Sequence, residues 1–205
     1  TAGTVLMDSK TGGKYLVSTR SKAVSYAGVL DEEITSVSIP SQVEINGITY
    51  NVTAIAEGAL RGNTKITYVS VPYSVTEVGK YAFKGCASLT KVSTLKYVKN
   101  IYQEVSQVHR VYISSKNLTT IKRGAFSECS GITKFNVVST KLNSMGKYAL
   151  YRTGKLKTVI FKTGYLTKSN VGSKAFSGIK STATFTVPAG SVQNYKDLFK
   201  SKGAG

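Results

Sequence analysis

The chain has 205 residues, of which 41% are hydrophobic, and its formal net charge is +18. This length supports one sizeable core, and the apolar content is too high for a disordered protein. Its apolar runs fall short of the roughly 18 consecutive residues that a membrane-spanning helix needs. Two cysteines and one histidine exclude a disulfide-dense scaffold and a thiolate metal cage, and they argue against an enzyme.

The charge is unevenly distributed along the chain. Residues 1–60 contain four basic and six acidic residues, whereas the remainder contains 24 basic and four acidic ones. A surface of this kind attracts polyanions. The composition therefore points to an anionic glycan, an anionic envelope polymer, a nucleic acid or an acidic protein surface as partner, without deciding among them.

The first 52 residues predict an N-terminal β cap. Two β-prone runs, at residues 15–17 and 23–26, flank a polar turn. Asn46-Gly47 lies between two further alternating runs, and this dipeptide is a strong signal for a β-hairpin. We therefore expect residues 1–52 to cover one end of the fold that follows.

From residue 53 onward, an aliphatic residue is followed four positions later by Ala and then by Phe or Leu. The alanines of the five copies are Ala59, Ala82, Ala125, Ala149 and Ala175. A fixed period of this length is the signature of a repeat architecture. The longest spacing, 43 residues between the second and third alanines, is close to two periods. It predicts a degenerate copy between residues 95 and 118 that has lost its Ala-Phe step.

Short β-prone runs recur in the same phase of each copy. They lie at residues 69–71, 92–94, 111–113, 135–137, 159–161 and 185–187. Strands that recur every 23–24 residues in one phase stack in parallel rather than forming hairpins. The prediction is a β-rich solenoid over residues 53–190, within a single domain spanning residues 1–205.

The C-terminal segment predicts a capping helix. Pro188 stops the last strand, and Ser191 is placed to cap a helix at its N-terminus. Four apolar residues then fall on one helical face, namely Val192, Tyr195, Leu198 and Phe199. We expect residues 191–205 to form this helix and a tail.

Residues 69–86 carry a recognisable motif. A strand ending in Pro72 is followed by a Ser-Val-Thr turn at residues 74–76, by Val78-Gly79, by Ala82-Phe83 and by Cys86. This pattern resembles the BspA-like leucine-rich repeat, and the resemblance covers residues 34–190. The resemblance implies a leucine-rich-repeat solenoid. Proteins of this family are mostly bacterial surface or secreted proteins, and some of them are adhesins that bind host extracellular-matrix proteins. The family supplies no catalytic residues.

The residues that could serve catalysis or metal binding lack the neighbouring groups that these functions need. His109 has no cysteine or carboxylate at a catalytic spacing, so a surface histidine is favoured. Asp31-Glu32-Glu33 could bind calcium, but it lacks the alternate-residue ligands of a calcium loop and fits a solvated turn better. Cys86 and Cys129 share a repeat position two coils apart, about 10 Å, so we expect two buried free thiols. No catalytic residue, cofactor or metal ion is predicted.

Alternation within the strands predicts a candidate binding surface. If Val92, Val111 and Phe135 point inward, the residues before and after them point outward on one face. These outward residues are Lys91, Ser93, Arg110, Tyr112, Lys134 and Asn136. The alternative is that the lysines only keep a repetitive β surface soluble. A second basic set, Lys80, Arg123 and Lys147, is expected on another side.

The leading functional hypothesis is a non-enzymatic, extracellular or cell-surface domain that binds a macromolecule, such as a host matrix protein, through its strand face. The alternative is a spacer in a larger envelope protein whose basic surface associates with anionic wall polymers or glycans. Nucleic acid is disfavoured because no recognised nucleic-acid motif accompanies the 13 tyrosines. We expect the protein to be a monomer.

Overall fold

The computed structural model describes residues 1–93, 110–113 and 116–204. These residues form a β-solenoid with two sheets and one short α-helix. The eight-stranded mixed sheet contains β1 (Val5–Asp8), β2 (Gly13–Val17), β3 (Ala23–Val29), β5 (Gln42–Ile45), β6 (Ile48–Ile55), β8 (Glu77–Val78), β11 (Thr120–Ile121) and β13 (Ser144–Met145). The seven-stranded parallel sheet contains β4 (Ser36–Ser38), β7 (Tyr68–Ser70), β9 (Lys91–Ser93), β10 (Arg110–Ile113), β12 (Lys134–Val137), β14 (Thr158–Phe161) and β15 (Thr184–Thr186).

The parallel sheet confirms the predicted stacking. Its strands lie in the order β15-β14-β12-β10-β9-β7-β4, and every neighbouring pair is parallel. Val69, Val92 and Phe135 occupy one register row and are buried. These strands therefore place an apolar residue of the same register row in the common core.

The N-terminal part begins as an antiparallel sheet. β2 pairs antiparallel with β1 and with β3. β5 and β6 form the predicted hairpin, and its two turn residues, Asn46 and Gly47, both have positive φ. β3 then pairs with β6 in parallel, so the mixed sheet changes from antiparallel to parallel pairing at this point. β4 lies in the same stretch of sequence and is the first strand of the parallel sheet. The first coil of the solenoid thus begins before residue 52.

The Ala-Phe steps form tight turns that stack through backbone hydrogen bonds. The Phe83 amide donates to the Ala125 carbonyl oxygen at 2.8 Å, and the Phe126 amide donates to the Ala149 carbonyl oxygen at 2.9 Å. The Phe83 and Phe126 rings are fully buried and stack with their centroids 5.1 Å apart. Alanine thus allows the turns to approach, and the following aromatic residue fills the space inside.

In the described residues, the degenerate copy contributes a strand to the parallel sheet but none between β8 and β11 of the mixed sheet. β10 lies between β9 and β12 in the parallel sheet, but β8 pairs directly with β11 in the mixed sheet. The turn at Ala82 therefore contacts the turn at Ala125 directly, although their sequence separation is nearly two periods. The inference that Cys86 and Cys129 lie two coils apart is wrong, because the turns that carry them are hydrogen-bonded to each other directly.

The C-terminal helix, α1 (Val192–Ser201), packs against the end of the solenoid with three of the four apolar residues that were predicted to be buried. Tyr195, Leu198 and Phe199 are buried, but Val192 is 42% exposed. Ser191 precedes the helix without a side-chain capping bond, because it ends a 3-10 turn and has φ −112° and ψ 2°. In the described residues there is no helix long and apolar enough to cross a bilayer.

Candidate interaction surfaces

The strand-face ladder is the set of six residues predicted to form a binding surface, Lys91, Ser93, Arg110, Tyr112, Lys134 and Asn136. Backbone register places them in two adjacent rows. Arg110 pairs with Lys91 on one side and with Lys134 on the other. Tyr112 pairs with Ser93 and with Asn136 in the same way. Neighbouring strands lie about 4.8 Å apart, so three basic residues occupy consecutive positions along the solenoid.

Lys134 and Asn136 flank the fully buried Phe135 on β12, and both are half-buried. The Asn136 Oδ1 atom is itself buried and accepts no hydrogen bond from the described part of the chain. Buried acceptors are nearly always satisfied, and an unsatisfied one costs about 1–3 kcal/mol. The ladder therefore contains one buried acceptor without a hydrogen bond among the described residues.

The basic set Lys80, Arg123 and Lys147 occupies a different face, on the turns that follow β8, β11 and β13. All three side chains are exposed. The Lys80 ammonium lies 3.7 Å from a Glu57 carboxylate oxygen, while Arg123 and Lys147 have no acidic partner among the described residues. The basic surface is therefore divided between two faces rather than collected in one patch.

A family model described as the BspA type leucine rich repeat region matches residues 30–116 and 101–202, in six copies. The match covers most of the chain. The chain belongs to the BspA type leucine rich repeat family. No curated protein matches it in sequence.

Solved structures of similar fold are bacterial leucine-rich-repeat proteins. The T. pallidum leucine rich repeat protein has a TM-score of 0.63 at 17% identity, covering 94% of this chain and 96% of that one. A leucine-rich repeat protein from Bacteroides capillosus has a TM-score of 0.56 at 23% identity, covering 79% and 97%. A leucine rich cell surface protein from Faecalibacterium prausnitzii has a TM-score of 0.50 at 17% identity, covering 91% and 55%. These similarities support the leucine-rich-repeat fold.

The two cysteines of these repeats are free and fully buried, as predicted. The Cys86 Sγ donates to the Leu60 carbonyl oxygen and the Cys129 Sγ donates to the Phe83 carbonyl oxygen, each at 2.9 Å. Both thiols thus donate to a backbone carbonyl group of the preceding turn. Burial raises the pKa of Cys86 to about 12 and raises the pKa of Cys129 well above its ordinary value. Neither thiol is poised to act as a nucleophile.

The acidic turn at residues 31–33 forms local contacts within the fold. In the Asp31-Glu32-Glu33 turn, Asp31 accepts the Glu33 amide and Glu33 pairs with Lys65 at 3.1 Å. The described residues contain no group of three or more His, Cys, Asp or Glu that could hold a metal ion. His109 lies outside the described residues.

A pocket of about 160 Å³ lies between β3 and the first Ala-Phe turn, lined by residues that include Lys14, Glu32 and Arg61. Small-molecule sites usually measure about 300–1,000 Å³. This pocket is smaller than a typical small-molecule site.

Proposed function

We propose that this protein is a non-enzymatic, extracellular or cell-surface domain that binds a macromolecule through the strand-face ladder, and that the partner is a host matrix protein. The observation that carries the proposal is the pairing of Lys91, Arg110 and Lys134 in one row. The adjacent row, which contains Tyr112 between Ser93 and Asn136, adds residues that can form hydrogen bonds to the same strand face.

The row of basic residues has an energetic cost that a partner would relieve. Two like charges about 5 Å apart repel by roughly 1 kcal/mol in water, and salt reduces this value. Carboxylates of an acidic protein surface would remove the repulsion and would form charge-assisted hydrogen bonds. Electrostatic complementarity of this kind contributes mainly to specificity and to the association rate.

The family and the similar structures support this location and role. Leucine-rich repeats stack into extended surfaces that bind macromolecules. The Faecalibacterium prausnitzii protein of similar fold is described as a cell surface protein. Among the described residues we find no arrangement that favours catalysis over binding. The features considered are the Asp31-Glu32-Glu33 turn, the buried thiols and the small pocket.

The test is a binding assay on immobilised fibronectin, laminin and collagen at about 0.15 M salt, where the Debye length is about 8 Å. The ladder variant combines Lys91→Glu, Arg110→Glu and Lys134→Glu. The control variant makes the same change in net charge at three exposed lysines that belong to neither basic set, Lys168, Lys180 and Lys196.

We expect at least one matrix protein to bind the wild-type chain, and the ladder variant to weaken that binding by about tenfold or more. The control variant should change the affinity by about twofold or less, because isolated exposed charges contribute little. Equal losses in the two triple variants would contradict the proposal, since only net charge would then matter.

A second candidate function is a spacer in an envelope protein that lies on anionic wall polymers or glycans. It is favoured by the exposed basic set on the second face, which the ladder does not explain. In the same assay, a spacer binds every polyanion in a salt-labile way and shows no preference among matrix proteins.

A further inference from the structure

The turns of the mixed sheet place one residue per coil in the left-handed backbone region, directly before the alanine. These residues are Gly58, Tyr81, Gly124, Tyr148 and Lys174, with φ between 53° and 65°. Glycine adopts this conformation freely, whereas other residues are strained there by roughly 1–2 kcal/mol. Strained backbone positions are common at functional sites, so the side chains of the non-glycine residues at this position are candidates for a function.

Tyr81 uses its unusual backbone to lay its ring along the solenoid, over the next turn. A Cβ added to Gly124 would lie 2.5 Å from the Tyr81 ring, so the ring rests directly on this glycine. Tyr148 lies one turn further along, and its backbone amide donates to the Ser173 carbonyl oxygen. Both tyrosines are half-buried.

Cationic side chains surround both rings. The charged ends of Arg61, Lys84 and Arg123 lie 5.7–5.9 Å from the centre of the Tyr81 ring. Arg123 also lies 5.8 Å from the Tyr148 ring, and Lys147 lies 4.9 Å from it. Arg123 therefore bridges the two aromatic rings. The turn cluster comprises Tyr81, Tyr148, Arg61, Lys84, Arg123 and Lys147.

The positive charge of the turn cluster is largely uncompensated. Lys84 lies 3.7 Å from a Glu128 carboxylate oxygen. Arg61, Arg123 and Lys147 form no ion pair with any residue that the structure describes. Three cations with exposed side chains thus converge on two rings, and the rings restrict their orientation before any partner arrives.

We propose that the turn cluster is a binding site for an anionic polysaccharide that carries sulfate or phosphate groups. Guanidinium groups bind such tetrahedral anions through two parallel hydrogen bonds. Adjacent turns repeat at about 4.8 Å, so Arg123 and Lys147 present charges in a line along the solenoid. A linear polymer with regularly spaced anions matches this arrangement.

The positions of the cations distinguish this ligand from a nucleic acid. Proteins that bind single strands leave aromatic faces open so that bases can stack on them. Here cations lie against both tyrosine rings, so the rings orient charges instead of receiving bases. The site is separate from the strand-face ladder, and its failure would leave the proposed matrix-protein binding untouched.

The test is calorimetric titration of the full chain with four probes at about 0.15 M salt. The probes are a heparin octasaccharide for sulfate, a teichoic acid for phosphate, a hyaluronan octasaccharide for carboxylate alone, and an oligothymidylate of equal charge. Arg123→Glu is compared with Lys168→Glu, which makes the same charge change at an exposed site elsewhere. The double variant Tyr81→Gly/Tyr148→Gly removes both rings and relieves the strained backbone, so we expect it to keep the fold.

We expect heparin or teichoic acid to bind, and Arg123→Glu to weaken that binding by about tenfold, since two charge units change at close range. Lys168→Glu should change it by about twofold or less. The double glycine variant should bind at least about threefold more weakly while its melting temperature stays the same or rises. The proposal is overturned if Arg123→Glu behaves like Lys168→Glu, or if oligothymidylate or hyaluronan binds as tightly as the sulfated and phosphorylated probes.

Discussion

The replacement of Gly79 by alanine tests the close packing of the coils. Gly79 directly follows β8, and its φ is not in the left-handed region, so only space limits the substitution. A Cβ at this position would lie 2.6 Å from the Ile55 carbonyl oxygen and 2.7 Å from the Ala56 carbonyl carbon. Both atoms belong to the backbone of the preceding coil and cannot turn aside.

The cost follows from the displacement that the new methyl group requires. Ordinary contacts begin near 3.4 Å, so the two coils must separate locally by roughly 0.8 Å, and overpacking of this kind costs about 1–3 kcal/mol. The same Ile55 carbonyl oxygen accepts the Gly79 amide at 2.9 Å, and the separation lengthens this hydrogen bond. We expect Gly79→Ala to lower the free energy of unfolding by about 2 kcal/mol, or the melting temperature by about 4–8 °C.

Urea and thermal unfolding followed by circular dichroism measure this change. Gly190→Ala is the matched control, because no atom lies within 4 Å of a Cβ at that position and its φ is ordinary. The control should stay within about 0.5 kcal/mol of wild type. If Gly79→Ala were as stable as Gly190→Ala, the close approach of the coils at this glycine would be refuted.

Three further predictions concern the core. The thiols of Cys86 and Cys129 should react with a disulfide reagent at pH 8 only as the protein unfolds, because burial raises both pKa values; rapid reaction of the native protein would contradict their burial. Tyr195→Phe should cost about 1 kcal/mol in urea unfolding, since the buried Tyr195 hydroxyl donates to the Thr163 carbonyl oxygen at 2.7 Å, and an unchanged midpoint would show that this bond is not formed. Phe126→Ala should cost about 3–5 kcal/mol, because its ring is fully buried in the central turn stack; a loss below about 1 kcal/mol would refute that position.

The solenoid and its caps could be predicted because their signals are local and repeated. Alternating runs predict short strands, and a constant phase between Ala-Phe steps predicts parallel stacking. Asn46-Gly47 predicts its hairpin because both residues tolerate positive φ. The register of Lys91, Arg110 and Lys134 follows from the same phase, since each lies one residue before the row that pairs Val92, Val111 and Phe135.

The placement of the turns could not be predicted from spacing alone. A gap of nearly two periods indicates a missing Ala-Phe step. It does not indicate that the strands and turns on either side of the gap pair directly with each other, as β8 and β11 do. Tyr81 and Tyr148 were missed for a related reason. Their backbone conformation is one that glycine usually occupies, so only the structure shows the rings among the cations. A sequence signal does exist, since glycine and tyrosine alternate at this position over the first four turns.

The most direct test of macromolecular recognition compares the ladder variant and Arg123→Glu on the same two probes, the best-binding matrix protein and the heparin octasaccharide. The ladder lies on the parallel sheet and the turn cluster lies on turns that follow strands of the mixed sheet, so their effects should separate. We predict that the ladder variant loses the matrix protein and keeps heparin, and that Arg123→Glu does the reverse. Parallel losses of both probes in both variants would contradict the account, because the basic residues would then act only through net charge.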